Sequence, residues 1–365
     1  MELKKDILLF INSLQGGGSE RVCTTIANSL AQKNFNVNLL VLHSKNAVFE
    51  KDLDKKVKLT SLNKLHTRKA FFAVAKYLLQ NKPKKIIVFN YQLAIMLVIL
   101  RAVLFLDYYI ISRNINVLSK LMEHEKSFWH KYIVDFFTKL FYKKSDKFIA
   151  QSNGMRDDLI NSYKVKKEKI IVINNPVNER IESLAKTLDF NKISKKYEVL
   201  FIGALEKRKG LDYLLDSFKI ISKTDNKIKL RILGKGSLKS KLIQKTEDLH
   251  LENQVIFEDF KKDVTSYILQ SRATLLTSLH EGFPNVLVES ITLGTPVVSF
   301  DCPSGPSEII DNGKNGYLVE YLNVEKFAQA VLKIINQNID SLLVAKSAER
   351  FYSDKIMMKY IEILE

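Results

Sequence analysis

Two glutamates with a suggestive spacing are the first candidates for chemistry in this sequence. Glu281 and Glu289 stand eight positions apart in SLHEGFPNVLVESITLG, residues 278–294, around a Gly-Phe-Pro turn. Pro284 favours the first position of a helix and Gly294 its end, so we predict one short helix over 284–293. A carboxylate buried in such an apolar run costs free energy unless it is paired. The stretch therefore indicates a polar ligand.

The separation of these two acids favours an elongated ligand over a paired acid and base. A rise of 1.5 Å per residue places them about 12 Å apart along the helix axis. That length is comparable with the distance from the reacting carbon of a nucleotide sugar, across its diphosphate, to the ribose. The N–H groups of residues 282–285, at the helix N-terminus, would face the diphosphate between the two acids.

A basic loop offers a second anion-binding element. In IGALEKRKGLDYLL, residues 202–215, a strand ends at Gly203 and a helix opens at Gly210. The three bases between them, Lys207, Arg208 and Lys209, oppose the dipole of the following helix. A bound diphosphate would account for their position. A solvated basic loop is the alternative.

A third loop, LQGGGSER at residues 14–21, follows the first predicted strand. Gly16 and Gly18 match the dinucleotide fingerprint, but Arg21 occupies its third glycine position. No acid follows the second strand, which also argues against a dehydrogenase. The loop can present backbone N–H groups to an oxyanion, or it is only a tight turn.

Short β-branched runs alternate with helical patterns along the whole chain, which predicts parallel sheets built from βαβ units. We predict strands at 6–11, 36–42, 84–90, 110–112, 148–152, 199–203, 229–234, 255–260, 273–279 and 296–300. The pattern restarts after a linker near 175–198, so two doubly wound domains are expected, followed by a last helical stretch from about Lys346. The apolar run 93–106 is too short to span a bilayer and is interpreted as a buried helix, with a membrane-interface segment as the alternative.

Composition agrees with a two-domain globular protein in a reducing compartment. The 365 residues are 46% hydrophobic and 27% charged, and two cysteines, Cys23 and Cys302, form no disulfide framework. The N-terminal MELKKDILLFINSL is interpreted as a first strand and not as a signal peptide. None of the six histidines, at 43, 66, 124, 130, 250 and 280, has metal-ligand spacing.

The net charge of +17 is concentrated in the first half of the chain. Residues 1–180 carry 31 Lys and Arg against 15 Asp and Glu, a balance of +16, whereas the remainder carries 26 against 25. This asymmetry indicates an anionic partner for the first half, either nucleic acid or an acidic membrane surface. A generally lysine-rich proteome explains it poorly, because the second half is neutral.

The motifs together resemble a known family. TSLH, EGFPNVLVE and LGTPVVSFDCPSGPSEIIDNGKNGYLV are similar to the C-terminal motif of the family 4 retaining glycosyltransferases of the GT-B fold. The resemblance extends to GGGSERV, to AQSNGMRDDL (150–159), to NNPV (174–177) and to LGKGSLKSKL (233–242). It implies an α/β protein with two Rossmann-like domains that face a cleft. Residues 1–180 would bind the acceptor, residues 181–345 the donor, and a C-terminal helix, 346–365, would cross back onto the first domain.

The resemblance also implies roles for individual residues. Glu281 would contact the donor sugar near its anomeric carbon, Glu289 the ribose, and Lys209 the diphosphate. Catalytic roles are expected for Glu281, Lys209 and Arg208. The donor-binding set is Gly16, Gly17, Gly203, Lys209, Gly234, Gly236, Leu242, Glu281, Gly282, Phe283, Pro284, Asn285, Val286 and Glu289.

Two positions depart from the family pattern. Relatives carry an arginine after the strand-ending glycine, where this chain has Ala204, and we expect Arg208 to supply that charge. Many relatives also carry a histidine after the fourth or fifth strand, where this chain has Arg113 and Asn114. These two residues, with Gly18, are the candidates on the acceptor side.

The resemblance implies front-face, retaining transfer of a hexosyl or N-acetylhexosaminyl group from a UDP-sugar, without metal or cofactor. The expected acceptor is a lipid-linked glycan of bacterial surface-polysaccharide synthesis, such as capsule or lipopolysaccharide. The protein would work in the cytoplasm, peripherally on the inner face of the membrane through its basic first domain. A soluble sugar acceptor is one alternative. A nucleic-acid binder is another, but no recognition motif supports it.

Overall fold

The protein comprises two compact units, each built around a parallel sheet. A computed structural model describes residues 5–123, 134–337 and 339–365. The first unit contains Met1–Asn178 and Ser353–Glu365, and the second contains Glu179–Tyr352. The chain therefore leaves the first unit once and returns to it for its last helix.

The sheet of the first unit has seven parallel strands in the order β3-β2-β1-β4-β5-β6-β7. They are β1 (Asp6–Ile11), β2 (Asn36–Val41), β3 (Lys58–Ser61), β4 (Lys85–Val88), β5 (Tyr109–Arg113), β6 (Lys147–Ala150) and β7 (Ile170–Val172). The central strands are apolar on both faces because helices cover the sheet from both sides. The strand order reverses beside β1, where ligands bind in this architecture.

Seven helices of the described chain cover that sheet. They are α1 (Gly18–Gln32), α2 (Phe71–Asn81), α3 (Tyr91–Val103), α4 (Leu118–Glu123), α5 (Asp135–Phe141), α6 (Asn153–Tyr163) and α15 (Ser353–Leu364). The buried sides of α2, α3, α4 and α6 share one core with one face of the sheet, and partly buried residues at the ends of α5 pack against it. The opposite face packs against α1 and α15.

The second unit has a six-stranded parallel sheet in the order β10-β9-β8-β11-β12-β13. Its strands are β8 (Glu198–Ile202), β9 (Lys229–Leu233), β10 (Val255–Glu258), β11 (Ala273–Leu276), β12 (Val297–Phe300) and β13 (Gly316–Val319). Its helices are α7 (Glu179–Thr187), α8 (Leu211–Thr224), α9 (Lys239–Asp248), α10 (Thr265–Gln270), α11 (Asn285–Thr292), α12 (Pro306–Ile309), α13 (Val324–Asn336) and α14 (Ser341–Ser347).

The predicted fold of two doubly wound α/β domains is confirmed, with differences at element ends. The expected linker contains a helix, α7, which the short periodicity of NNPVNERIES did not reveal. The expected C-terminal helix is divided: residues 346–352 belong to the second unit and only Ser353–Glu365 to the first. The predicted buried helix over 93–106 is α3, whose side chains enter the core. No helix in the described part of the chain is long and apolar enough to cross a bilayer.

Candidate functional site

The carboxyl ends of β8 and β11 bring two loops of the second unit into direct backbone contact. Residues Lys207–Lys209 form a 3-10 turn that ends at Gly210, which adopts φ +60°. A Cβ at Gly210 would lie 2.0 Å from the carbonyl oxygen of Thr277, so only glycine fits there. The Thr277 hydroxyl donates to the Lys209 carbonyl at 3.1 Å. The basic loop is thereby fixed against the turn that carries Glu281.

This contact forms a buried ion cluster around Glu281. The Lys209 ammonium donates to Oε1 of Glu281 at 2.5 Å, and Nη1 of Arg208 lies 3.2 Å from Oε2. The Ser278 hydroxyl adds a third donor, 2.6 Å from Oε1. Both Lys209 and Glu281 are buried. The predicted catalytic residues are therefore brought together at one carboxylate.

The cluster keeps Glu281 ionised. Burial alone would raise the pKa of this carboxyl, but the charges of Lys209 and Arg208, with hydrogen bonds from Lys209 and Ser278, lower it from 4.5 to about 2. A carboxyl with so low a pKa holds no proton near neutral pH, so it cannot serve as a general acid. It can accept hydrogen bonds from hydroxyl groups.

The loops that follow β8 and β9 contact each other beside the ion cluster. A Cβ at Gly234 would lie 1.9 Å from the Gly203 carbonyl oxygen, and one at Gly236 would lie 2.3 Å from the Leu205 carbonyl oxygen. The Leu205 N–H donates to the Lys235 carbonyl at 2.9 Å. Gly234 and Gly236 thus permit the two loops to touch by their backbones, and predicted Gly203 supplies one of the carbonyl groups that they approach. Predicted Leu242 lies deeper, in the core of the unit.

The remaining predicted donor residues of the second unit lie at the turn before α11 or on that helix. The helix begins at Asn285 with Pro284 at the N-cap, one residue later than predicted. Gly294 ends it in the left-handed region at φ +71°, as predicted. Phe283 turns its ring towards Phe351, with centroids 5.6 Å apart, so only its backbone is available at the turn.

Glu289 is the fifth residue of α11, in the second turn, and is buried. Gly282 is also buried, and Asn285 and Val286 are half-buried. The loop 302–306 was not predicted as part of this region. It contacts the turn because the Ser304 hydroxyl donates to the Gly282 carbonyl at 3.0 Å. Ser304 adopts φ +74° in this loop. The segment belongs to the motif that resembles the family, but none of its residues was assigned to the site.

The glycine loop of the first unit lies at the N-terminus of α1. Gly16 has φ +134°, and Gly17 is the N-cap of the helix, with no side-chain cap. The Glu20 carboxylate lies against this helix N-terminus. A Cβ added at Gly17 would lie only 2.3 Å from its Oε2. The predicted anion-binding loop, with Gly18 at its end, therefore has an acid of the chain beside it.

Arg113 and Asn114 point into the first unit. Arg113 is 1% exposed, and its Nε donates to the Tyr360 hydroxyl at 2.9 Å while Nη2 donates to the Asn175 side-chain oxygen. Asn114 accepts a hydrogen bond from the Tyr142 hydroxyl. Arg113 thus connects β5 to α15, and the predicted acceptor contact would require this arrangement to open.

No group of His, Cys, Asp and Glu among the described residues could hold a metal ion. His43, His66, His250 and His280 lie in the described part, whereas His124 and His130 lie outside the described residues. His280 is buried next to Glu281 in the chain.

Comparison with solved structures places this architecture among known folds. The Anabaena protein HepE, solved in complex with UDP-glucose, superposes with a TM-score of 0.77 and 19% identity, over 98% of this chain and 99% of its own. At this identity the similarity concerns the fold, which is GT-B.

Sequence families match both units. The family described as Glycosyltransferase Family 4 matches residues 16–180, and the family described as Glycosyl transferases group 1 matches residues 185–353. The chain belongs to the glycosyltransferases of the GT-B fold. An uncharacterized glycosyltransferase of Haemophilus influenzae is 27% identical to this glycosyltransferase over 99% of the chain and 98% of the relative.

Two further relatives have more specific names. The amylovoran biosynthesis glycosyltransferase AmsD of Erwinia amylovora is 25% identical, over 90% of each chain. A Campylobacter jejuni enzyme is named N-acetylgalactosamine-N,N'-diacetylbacillosaminyl-diphospho-undecaprenol 4-alpha-N-acetylgalactosaminyltransferase. It is 28% identical over 58% of this glycosyltransferase and 57% of its own length.

The close loop contact at Gly210 can be tested by adding a single methyl group. Gly210→Ala introduces a backbone clash and left-handed strain, so we expect a loss of about 3 kcal/mol or more in the free energy of unfolding. Gly313→Ala is the matched control: it has φ +79° but no atom within 4 Å of the new Cβ. It should cost about 1–2 kcal/mol from strain alone. Urea unfolding compares the two, and equal losses would contradict the contact.

The ion cluster predicts a defined dependence of stability on pH. Because the pKa of Glu281 is lowered from 4.5 to about 2 on folding, its ionisation stabilises the protein above pH 4.5, and the effect is lost as pH falls towards 2. The free energy of unfolding of the wild type should therefore exceed that of Glu281→Gln most above about pH 5. The difference between the two proteins should decrease as the pH falls below 5. Exposed Glu252→Gln is the control, and a gap independent of pH would refute the cluster.

Proposed function

We propose that this glycosyltransferase moves a hexosyl or N-acetylhexosaminyl group from a UDP-sugar to a lipid-linked glycan, with retention of anomeric configuration. The observation that carries the proposal is the cluster of Lys209, Arg208 and Glu281 beside the N-terminus of α11. It combines two bases suited to a diphosphate with a carboxylate suited to sugar hydroxyls. One relative named for amylovoran biosynthesis and one named for a diphospho-undecaprenol substrate support the choice of acceptor.

In this proposal the two bases and the helix N-terminus bind the donor diphosphate. Arg208 and Lys209 both donate to Glu281 from one turn, so a diphosphate beside that carboxylate would receive charge-assisted hydrogen bonds from both. Arg208 would thus supply the charge that Ala204 does not. N–H groups at the start of α11 would add partial positive charge.

The two glutamates would hold opposite ends of the donor. Glu281 is ionised and would accept hydrogen bonds from hydroxyls of the sugar, oriented by the Ser278 hydroxyl. Glu289, eight residues later and in the second turn of α11, would accept from the ribose.

Transfer would then proceed on one face of the sugar. The bond from the anomeric carbon to the diphosphate oxygen breaks, and a bond to the acceptor oxygen forms on the same face. The acceptor proton passes to the departing phosphate oxygen, and Lys209 and Arg208 stabilise the charge on the diphosphate. These positive groups take the role that a metal ion has in other transferases, so we propose a metal-independent reaction.

The acceptor would reach the first unit at the inner face of the cytoplasmic membrane. Residues 1–180 carry a balance of +16, as expected for a protein region that works against anionic lipids. Two cysteines that remain free and buried agree with a reducing compartment. A UDP-sugar as donor is supported by the fold neighbour solved with UDP-glucose.

Substitution of each glutamate separates donor binding from turnover. Glu289→Ala should weaken UDP binding, measured by calorimetry, by roughly tenfold to a hundredfold, because a ribose contact is lost. Glu281→Ala should lower kcat about a hundredfold or more but keep UDP affinity, since Lys209 and Arg208 remain. Exposed Glu252→Ala is the control. Normal turnover of Glu281→Ala would remove this residue from the mechanism.

Metal independence and retention are checked in one assay. A screen of UDP-sugars against lipid-linked and free sugar acceptors, followed by NMR of the product, should give the donor's own anomeric configuration. Turnover should be unchanged after treatment with EDTA. Activity that requires added Mg²⁺ or Mn²⁺, or an inverted product, would contradict the proposed reaction, and turnover only on free sugars would contradict the acceptor.

A further inference from the structure

The turn that precedes α11 is held from one side by the loop that follows β12. The Ser304 hydroxyl of this loop donates to the Gly282 carbonyl at 3.0 Å. A Cβ at Gly305 would lie 2.6 Å from Cδ of Pro284, so the loop lies directly against the turn. We call residues 281–284 the donor turn, because the sugar and the diphosphate of the proposed donor would meet there.

Phe351 holds the donor turn from another side. Its ring meets the ring of Phe283 edge to face, with centroids 5.6 Å apart and planes at 66°. Phe283 is 5% exposed and Phe351 is 2% exposed. Because both rings are packed at the density of a protein core, a displacement of one ring displaces the other. Phe351 lies far outside the predicted donor motif, and no role was predicted for it from the sequence.

Phe351 is itself connected to the loop that borders the donor turn. It ends a 3-10 turn, Ala348–Phe351, and the guanidinium of Arg350 lies 5.0 Å from the centroid of its ring. Nη2 of Arg350 donates to the carbonyl of Ile309, the last residue of α12, at 2.8 Å. Since α12 begins at the end of the loop 302–306, the donor turn, this loop and Phe351 pack as one group.

The chain returns to the first unit directly after Phe351. Tyr352 is the last residue of the second unit, and Ser353 is the first residue of the returning segment. Ser353 is buried in the first unit, where its hydroxyl lies 3.2 Å from the hydroxyl of Ser29 on α1. Two residues of chain span at most about 7 Å. The connection between a side chain buried in one unit and a side chain buried in the other therefore has no flexible linker.

The single residue between them, Tyr352, also has a partner. The ammonium of Lys186 lies 5.0 Å from the centroid of its ring, and Lys186 forms an ion pair with buried Glu182 at 2.6 Å. Both residues belong to α7, the first helix after the chain enters the second unit. The return segment, which we define as Arg350–Ser353, is therefore held at each of its positions by a side-chain contact.

We propose that Phe351 is a positioning residue for the transfer reaction. Through Phe283 it fixes the donor turn, and with it the Glu281 carboxylate that would contact the sugar. The effect is reciprocal, because a ligand that orders the turn also orders Phe351 and the return segment. This inference rests on the proposed function, since it requires the donor to occupy the turn. Ordinary core packing is the alternative, in which Phe351 would affect stability alone.

The substitution Phe351→Leu tests the positioning role. It removes the ring against which Phe283 packs, and the space that it leaves allows the donor turn to move. Because a displacement of about 1 Å can lower turnover about a hundredfold, we expect kcat to fall about tenfold or more. UDP affinity, measured by calorimetry, should change less than about threefold, because Lys209, Arg208 and Glu289 lie outside the turn. Hydrolysis of UDP-glucose and of UDP-N-acetylglucosamine serves as the turnover assay.

Phe327→Leu is the matched control. Phe327 is also fully buried in the second unit and meets Phe300 edge to face, with centroids 4.9 Å apart, but this pair lies in the core between α13 and the sheet. The control should lose stability as Phe351→Leu does and keep its kcat. Phe283→Leu/Phe351→Leu should turn over no more slowly than the slower single variant, because both substitutions act through one contact. An equal loss of kcat in the control, or losses that multiply in the double variant, would overturn the inference.

Hydrogen exchange of the full chain, with UDP as the probe, tests the connection to the return segment. UDP should slow exchange of the amides of residues 349–353 about threefold or more in the wild type and in Phe327→Leu, beyond any slowing in α13, which reports general stabilisation. Phe351→Leu should lose this protection. A wild type that binds no UDP would refute the proposed donor and the inference with it, whereas UDP binding without protection of 349–353 would refute the inference alone.

Discussion

The burial of the Glu281 carboxylate with Lys209 and Arg208 is the interaction on which the second unit's site depends. Removing one charge from water costs several kcal/mol, which only close and well-oriented partners offset. The Thr277 and Gly210 backbones must therefore approach to a distance that excludes a side chain. The local sequence follows from this constraint: a glycine after the bases, a threonine at the end of β11, and a serine three residues before the glutamate.

The same cluster explains how one site can be stable when empty and receptive to an anion. Without a diphosphate, both bases pair with Glu281, so neither lacks an acceptor, although the single carboxylate leaves the cluster with a net positive charge. A diphosphate offers both bases a second acceptor of higher charge, and Glu281 would then be free to contact sugar hydroxyls. Binding would exchange one set of charge-assisted hydrogen bonds for another, so most of the affinity must come from contacts made elsewhere along the donor.

The strands and loops whose structure follows from a local sequence pattern could be predicted. Strands buried on both faces produced recognisable apolar runs, and the carboxyl-edge rule brought Arg208, Lys209 and Glu281 to one edge of the second sheet. Prediction failed where tertiary contacts decide. Arg113 looked available for an acceptor, but its partners Tyr360 and Asn175 are distant in the chain. The strands β3, β7 and β13 were missed although other four-residue strands were found. These three lie at sheet edges and are largely half-buried, so they lack the fully buried pattern of a central strand such as β11.

The two units use bases in opposite ways, and this difference separates their functions more clearly than net charge does. Lys209 is buried, and its ammonium group is held by a hydrogen bond to Glu281. A base held in a defined position is suited to recognising a particular chemical group of a ligand. The lysines around α2 are exposed and the sequence has no acid between Asp54 and Asp107, so they attract negative charge without specifying its geometry. Salt weakens the second kind of interaction strongly and the first only slightly, because screening acts through solvent. Binding to a lipid surface requires electrostatic attraction but no fixed positions of the bases, whereas binding of a nucleotide sugar requires donors at defined positions.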